Sequence, residues 1–125
     1  MREAAFWQRI KRLNKTGELR GYWRRVEAKL PAGFPDTVVQ SDARTFFIEL
    51  KSVEVVRELK YEVRPEQAVW NHEWNAYGGH AMVLAWVDSE KRMAWFHDAV
   101  AIRKGMFHEV SAPECLLPRC KLGAI

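Results

Sequence analysis

Residues 33–52 read Gly33-Phe34-Pro35-Asp36-Thr37-Val38-Val39-Gln40, then Ser41-Asp42-Ala43, then Arg44-Thr45-Phe46-Phe47-Ile48-Glu49-Leu50-Lys51-Ser52. Two apolar runs either side of a short polar turn predict an antiparallel hairpin, with strands over 36–40 and 45–52. The second run is β-branched and aromatic and belongs inside a sheet. Within it Glu49 and Lys51 are two residues apart, so both project from one face, and Asp36 opens the first run. Ionised groups at the end of a buried strand are costly to desolvate unless each other, a cation or a phosphate holds them.

Downstream, Glu54, Arg57, Glu58, Lys60 and Glu62 make a charged connection, read as a mobile flap or as an extension of the hairpin. Pro65 suits the first turn of a helix and Glu66 the positive end of its dipole. That helix is expected over 65–77, stopped by Gly78-Gly79. Gln67, Trp70, Asn71 and Trp74 recur at helical spacing and define the face that packs on the sheet. Residues 81–88 are almost continuously apolar, as a central strand covered on both faces requires. A further strand over 92–97, Asp98 as the N-cap of a short helix over 99–104, and an irregular tail carrying Pro113 and Pro118 complete the chain.

Upstream, two helices are expected over 3–15 and 18–30, punctuated by Thr16-Gly17. On the second, Trp23, Val26, Glu27 and Leu30 fall on one stripe, so Glu27 points inward, to a site or to an ion pair with Arg24 or Lys51. The net charge is +4, yet the first thirty residues alone carry an excess of +6, from Arg2, Arg9, Lys11, Arg12, Lys15, Arg20, Arg24, Arg25 and Lys29 against Glu3, Glu18 and Glu27. Trp7, Tyr22 and Trp23 interleave those cations with flat rings, a pattern that suits a nucleic-acid backbone and its bases, or a solvated helix face with core-facing aromatics.

A chain of 125 residues with 48% hydrophobic content and six Trp is expected to form one packed domain. Residues 1–30 then form a basic helical part, 31–97 the core and 98–125 an extension. No apolar run approaches the roughly 18 residues of a membrane span, and no signal-peptide pattern is read at the N-terminus. Cys115 and Cys120 have no second pair of ligands nearby and are expected to be free thiols in a reducing cytoplasm. His72, His80, His97 and His108 are read as structural or exposed, with His80, at a strand start, the nearest to a candidate for a site.

Pro35-Asp36 followed by Glu49-Leu50-Lys51 resembles the PD-(D/E)XK nuclease signature, and Gly33-Phe34-Pro35-Asp36 with Phe47-Ile48-Glu49-Leu50-Lys51-Ser52 is similar to its VRR-NUC branch. Val26-Glu27, Arg64-Pro65-Glu66-Gln67 and Gly78-Gly79 extend the likeness in the same order over residues 23–88. The connection over 53–63 departs from it. The resemblance implies an α/β, restriction-endonuclease-like core of helix, antiparallel hairpin, helix and strand, with a mixed central sheet flanked by helices. It implies hydrolysis of DNA phosphodiesters with Mg²⁺, or Mn²⁺ as a substitute, held by Asp36, Glu49, the carbonyl of Leu50 and Glu27. Lys51 would act on the attacking water and Gln67 would support the site, while Arg9, Arg12, Arg24, Arg25 and Arg64 would grip DNA. The compact size resembles stand-alone phage or bacterial VRR-NUC proteins and junction resolvases, which act as homodimers on branched DNA. The apolar tail residues Met106, Phe107, Leu116, Leu117 and Leu122 would serve that dimer or close the chain's own core. A non-catalytic nucleic-acid module and a restriction-type endonuclease are the alternative readings.

Overall fold

A computed structural model describes residues 1–27 and 30–118; Lys29, Cys120 and Leu122 lie outside this range. Helix α1 (Glu3–Thr16) is followed by strands β1 (Tyr22–Arg25), β2 (Thr37–Ser41) and β3 (Arg44–Val53). A 3₁₀ turn (Val56–Glu58), the short α2 (Leu59–Glu62) and α3 (Pro65–Ala76) lead to β4 (Ala81–Val87). Strand β5 (Arg92–Phe96), α4 (Ala99–Arg103), β6 (Glu109–Val110) and a 3₁₀ turn (Glu114–Leu116) close the order. The six strands form one sheet in the order β1-β2-β3-β4-β5-β6. Among the described residues only the β3–β4 pairing is parallel, so the sheet is mixed, and helices flank it as the α/β reading requires.

The hairpin forms where it was expected. Thr37 pairs with Ile48 and Ser41 with Arg44, and the two-residue turn between them holds Asp42 and Ala43 at φ +47° and +62°. Positive φ at both central positions is what a tight hairpin turn demands, because its twist then matches that of the strands. Because β3 alternates, Ile48 and Leu50 enter the core that α1 covers with Phe6 and Ile10. Val53 enters the opposite core, built from Leu59, Val63, Ala68, Val83, Phe96 and Ile102. All seven residues of β4 are buried, the central strand its continuous apolar run implies.

Three expectations are corrected. The stretch after α1 is a strand and not a second helix: Trp23 is buried while Tyr22 and Arg24 are exposed, a period of two that the coincidental spacing of Trp23, Val26 and Leu30 conceals. Gly21, at φ +110°, starts it; a Cβ there would run into Val39 of β2. Nor is 53–63 a flap or a longer hairpin. A parallel partner for β3 needs a crossover, and these residues begin it, with Leu59 and Val63 completely buried. The tail is also more ordered than an irregular extension, since β6 pairs with β5 and Arg92 bonds Glu109 across that edge. Cys115 and Leu116 are buried in the α1-side core, so this part of the tail closes the chain's own interior.

Candidate active site

β3 outruns β2. Asp36 immediately precedes β2, and beyond Thr37↔Ile48 the pairing stops, so the N–H of Leu50 has no strand partner on that edge. The Asp36 carboxylate takes its place: Oδ1 accepts the Leu50 N–H at 3.1 Å and the Thr37 hydroxyl at 3.2 Å. Gly33, three residues before Asp36, carries the chain past α3. It sits at φ +92° so close to the first turn of α3 that a Cβ would collide with the Glu66 carbonyl. Only glycine combines that backbone with that clearance. A strand residue presents its N–H and C=O along the same edge, so the Leu50 carbonyl faces the same gap.

Glu49 and Lys51 flank Leu50 on the opposite face, 8% and 7% exposed, with Lys51 Nζ 3.5 Å from Glu49 Oε2. Burial, and then the neighbouring Asp36 charge, push the Glu49 carboxyl up to about 8 in spite of that ammonium. Asp36 is also raised by burial, against the pull of the Leu50 N–H and of Arg25, whose Nη1 is 3.8 Å from Asp36 Oδ2. Both shifts have the same origin: carboxylates removed from water with too little positive charge beside them.

Gln67 and Glu49 line one small cleft together with Gly33, Pro35, Trp70 and Asn71. The Gln67 Oε1 accepts the Arg64 N–H at 2.9 Å, which caps α3. On the same face of β3 as Glu49, Phe47 stands edge-on to Phe34, Trp70 and Trp74, and the last two rings stack at 5.0 Å. Of these rings, Trp70 lines the cleft.

Asp36, Glu49, Leu50, Lys51 and Gln67 are therefore brought together, and Arg25 joins them. Glu27 does not. It is exposed beyond the end of β1, because the helix that would have turned it inward is absent. Of the other cations, Arg9 lies over Trp86 at 4.6 Å, Arg24 over Tyr22 at 3.7 Å and Arg64 beside Glu66 at 3.4 Å, while Arg12 is exposed on α1. His80 packs its ring on Phe46, on the other face of β3 from Glu49. A further acid comes from elsewhere: Glu3, in the open first turn of α1, interacts electrostatically with Lys51, Asp36 and Arg25, and partial burial raises its carboxyl. Its only sequence signal is an acid at a helix start, which is common for dipole reasons alone.

Among the described residues, no three His, Cys, Asp or Glu side chains are placed to hold a metal together. The donor set nevertheless fits a hard divalent cation. Two buried carboxylates and a free carbonyl are oxygen ligands, and Mg²⁺ characteristically uses one or two carboxylates while keeping its waters. Three acids against two cations also leave the site short of positive charge.

No family model matches this chain, and no curated protein matches it. Among solved structures it is similar to Hjc, a Holliday junction resolvase from the archaeal hyperthermophile Archaeoglobus fulgidus. The two are 18% identical over 74% of each chain, with a TM-score of 0.47.

Proposed function

We propose that this chain is a divalent-metal-dependent DNA endonuclease, selective for branched substrates and working as a homodimer. The observation that carries the reading is the bond from the Leu50 N–H to Asp36. It locks the first carboxylate against the strand that presents Glu49 and Lys51, so that two acids and an ammonium converge on one gap at a sheet edge. Buried ionisable groups whose titration is shifted by desolvation and by specific charge partners are the kind of constellation that functional sites use.

Mg²⁺, or Mn²⁺ in its place, would be held by Asp36, Glu49 and the Leu50 carbonyl, and would supply Lewis acidity toward the phosphate and its attacking water. Glu3, and not Glu27, is the further acid whose charge acts on Asp36 and Glu49. Lys51 orients the water through its ammonium protons and offsets the negative charge that grows on the phosphate. Arg25 reaches the phosphate from the β1 side. Gln67 fixes the start of α3, and with it the wall of the cleft.

Labelled single strands, duplexes, flaps and four-way junctions incubated with Mg²⁺, Mn²⁺, Ca²⁺ or chelator test the proposal. Cutting is expected with the first two ions. Ca²⁺, with its larger and looser shell, should support binding without turnover. Equal cleavage in chelator would refute it.

A further inference from the structure

A groove runs between α1 and β1, lined by Trp7, Lys11, Trp23, Arg24 and Arg25, with Glu27 the one acid among its lining residues. Most of its polar groups are already committed. Trp23 Nε1 donates to the Arg20 carbonyl at 2.9 Å, and Arg24 Nη1 to the Trp23 carbonyl at 2.7 Å. Asn14, at the same groove, donates to the carbonyls of Leu19 and Gly21. Two cations differ. Lys11 is exposed and, among the described residues, has no hydrogen bond or ion pair. Arg25 Nη1 is buried without a hydrogen-bond acceptor, its Asp36 neighbour standing off at 3.8 Å.

A buried guanidinium N–H with no acceptor is costly, and a phosphate oxygen entering the groove would supply one while matching its charge. Between these cations on α1 lies Trp7, partly exposed, with the Arg25 guanidinium 5.7 Å from its ring centroid. That is close to the ~6 Å limit of a cation–π contact, so Arg25 is held only loosely there. Cations spaced around a flat, accessible ring form the pattern that binds single-stranded nucleic acid, because phosphates meet the charges and a base face meets the ring. A duplex offers the same phosphates but hides its base faces.

We infer that this groove carries one nucleic-acid strand away from the Asp36–Glu49 site, with Arg25 and Lys11 on its phosphates and an unpaired base against Trp7. The inference rests on the nuclease reading and narrows it: the nucleotide beside the cut has to be free of its partner. Selectivity for branched DNA then has a physical source in this chain, since a branch is where a strand leaves its duplex.

The test measures binding in chelator, where nothing is cut, by fluorescence anisotropy of a labelled single strand and a duplex of equal length. Lys11→Gln should lower the slope of log affinity against log salt on the single strand by about 0.7. Trp7→Leu should weaken the single strand by about tenfold and leave the duplex nearly unchanged. Trp7→Phe, which keeps a ring, should recover most of the loss, and an unaltered unfolding midpoint in each variant shows that the fold is kept. Parental binding in all three variants would overturn the inference, as would equal losses on both substrates. A polyglutamate peptide of matching charge that binds as tightly, with the same dependence on Trp7, would also overturn it. A parent that cuts nothing with Mg²⁺ yet shows the expected pattern would retire hydrolysis and uphold the groove. Cleavage by the parent with no effect of the groove variants would do the reverse.

Discussion

The Asp36 carboxylate accepts the Leu50 N–H at 3.1 Å, filling the position where a β2 backbone partner would otherwise sit. The side chain thus does two things at once: it ends the hairpin pairing in register and stands beside Glu49 and Lys51. Asparagine could keep the first role, since its Oδ1 still accepts, but it loses the charge that the second requires.

Asp36→Asn, Glu49→Gln and Lys51→Gln are therefore expected to stay folded and each to lower cleavage by about a hundredfold or more, the scale seen when one charge-stabilising group is removed from a site. Affinity for DNA in chelator should hold or rise in the two carboxylate variants, because a negative charge facing phosphates is gone. Circular dichroism, cleavage rates and anisotropy measured on the same preparations check this. Losses of only a few-fold in all three would sink the proposed site.

The Glu49 carboxyl, raised by burial from 4.5 to about 8, makes metal-free stability depend on pH. A carboxyl whose folded value lies above its unfolded value favours folding fully at low pH, and that contribution fades as pH rises through the folded value. The parent in chelator should lose stability between about pH 4.5 and 8 relative to Glu49→Gln. The gap should be on the order of 1–3 kcal/mol at the upper end, or roughly 4 °C in midpoint per kcal/mol. Urea unfolding across pH measures it. Identical profiles for the two proteins would show that Glu49 is better solvated than its 8% exposure implies.

Reading this fold from sequence succeeds where the period is unambiguous. Residues 36–52 alternate as a hairpin and 81–87 are apolar throughout, so the order of residues alone is enough to bring Asp36, Glu49 and Lys51 to one site. It fails at Tyr22–Arg25, where Trp23, Val26 and Leu30 also fit a helix. The deciding fact is tertiary, namely that β2 offers an edge for Trp23 to pair with Val39. Glu27 is lost from the site with that helix. Glu3 could not replace it on paper, because nothing in 1–16 says where α1 begins relative to β3.

The connection after β3 offers a check on packing. Leu59 is completely buried, whereas Tyr61, two residues on, is 78% exposed. Leu59→Ala should cost about 2–5 kcal/mol, while Tyr61→Ala should stay within about 0.5 kcal/mol. Denaturant titration of both variants distinguishes a crossover packed on the second core from a loose flap, for which the two costs would be equally small.

Oligomeric state is the last expectation. Symmetric cleavage of a four-way junction needs two sites related by a twofold axis, and a homodimer of a chain with one site supplies them. The tail contributes less surface to such a dimer than its composition implied, since Leu116 is wholly inside the chain's own core and Phe107 partly buried, leaving Met106 and Leu117 exposed. Apolar surface remains on α3 and just beyond it, where Val69, Trp74 and Tyr77 are open to solvent. Sedimentation velocity at micromolar concentration should give twice the chain mass, and opposing strands of a junction should be nicked within one binding event. Binding should also weaken steeply with salt, because Lys11, Arg12 and Arg25 would meet phosphates from both halves of the dimer. A strict monomer that trims flaps or single strands and leaves junctions whole would remove the junction reading. It would leave the Asp36, Glu49 and Lys51 chemistry in place, because each chain carries all three residues.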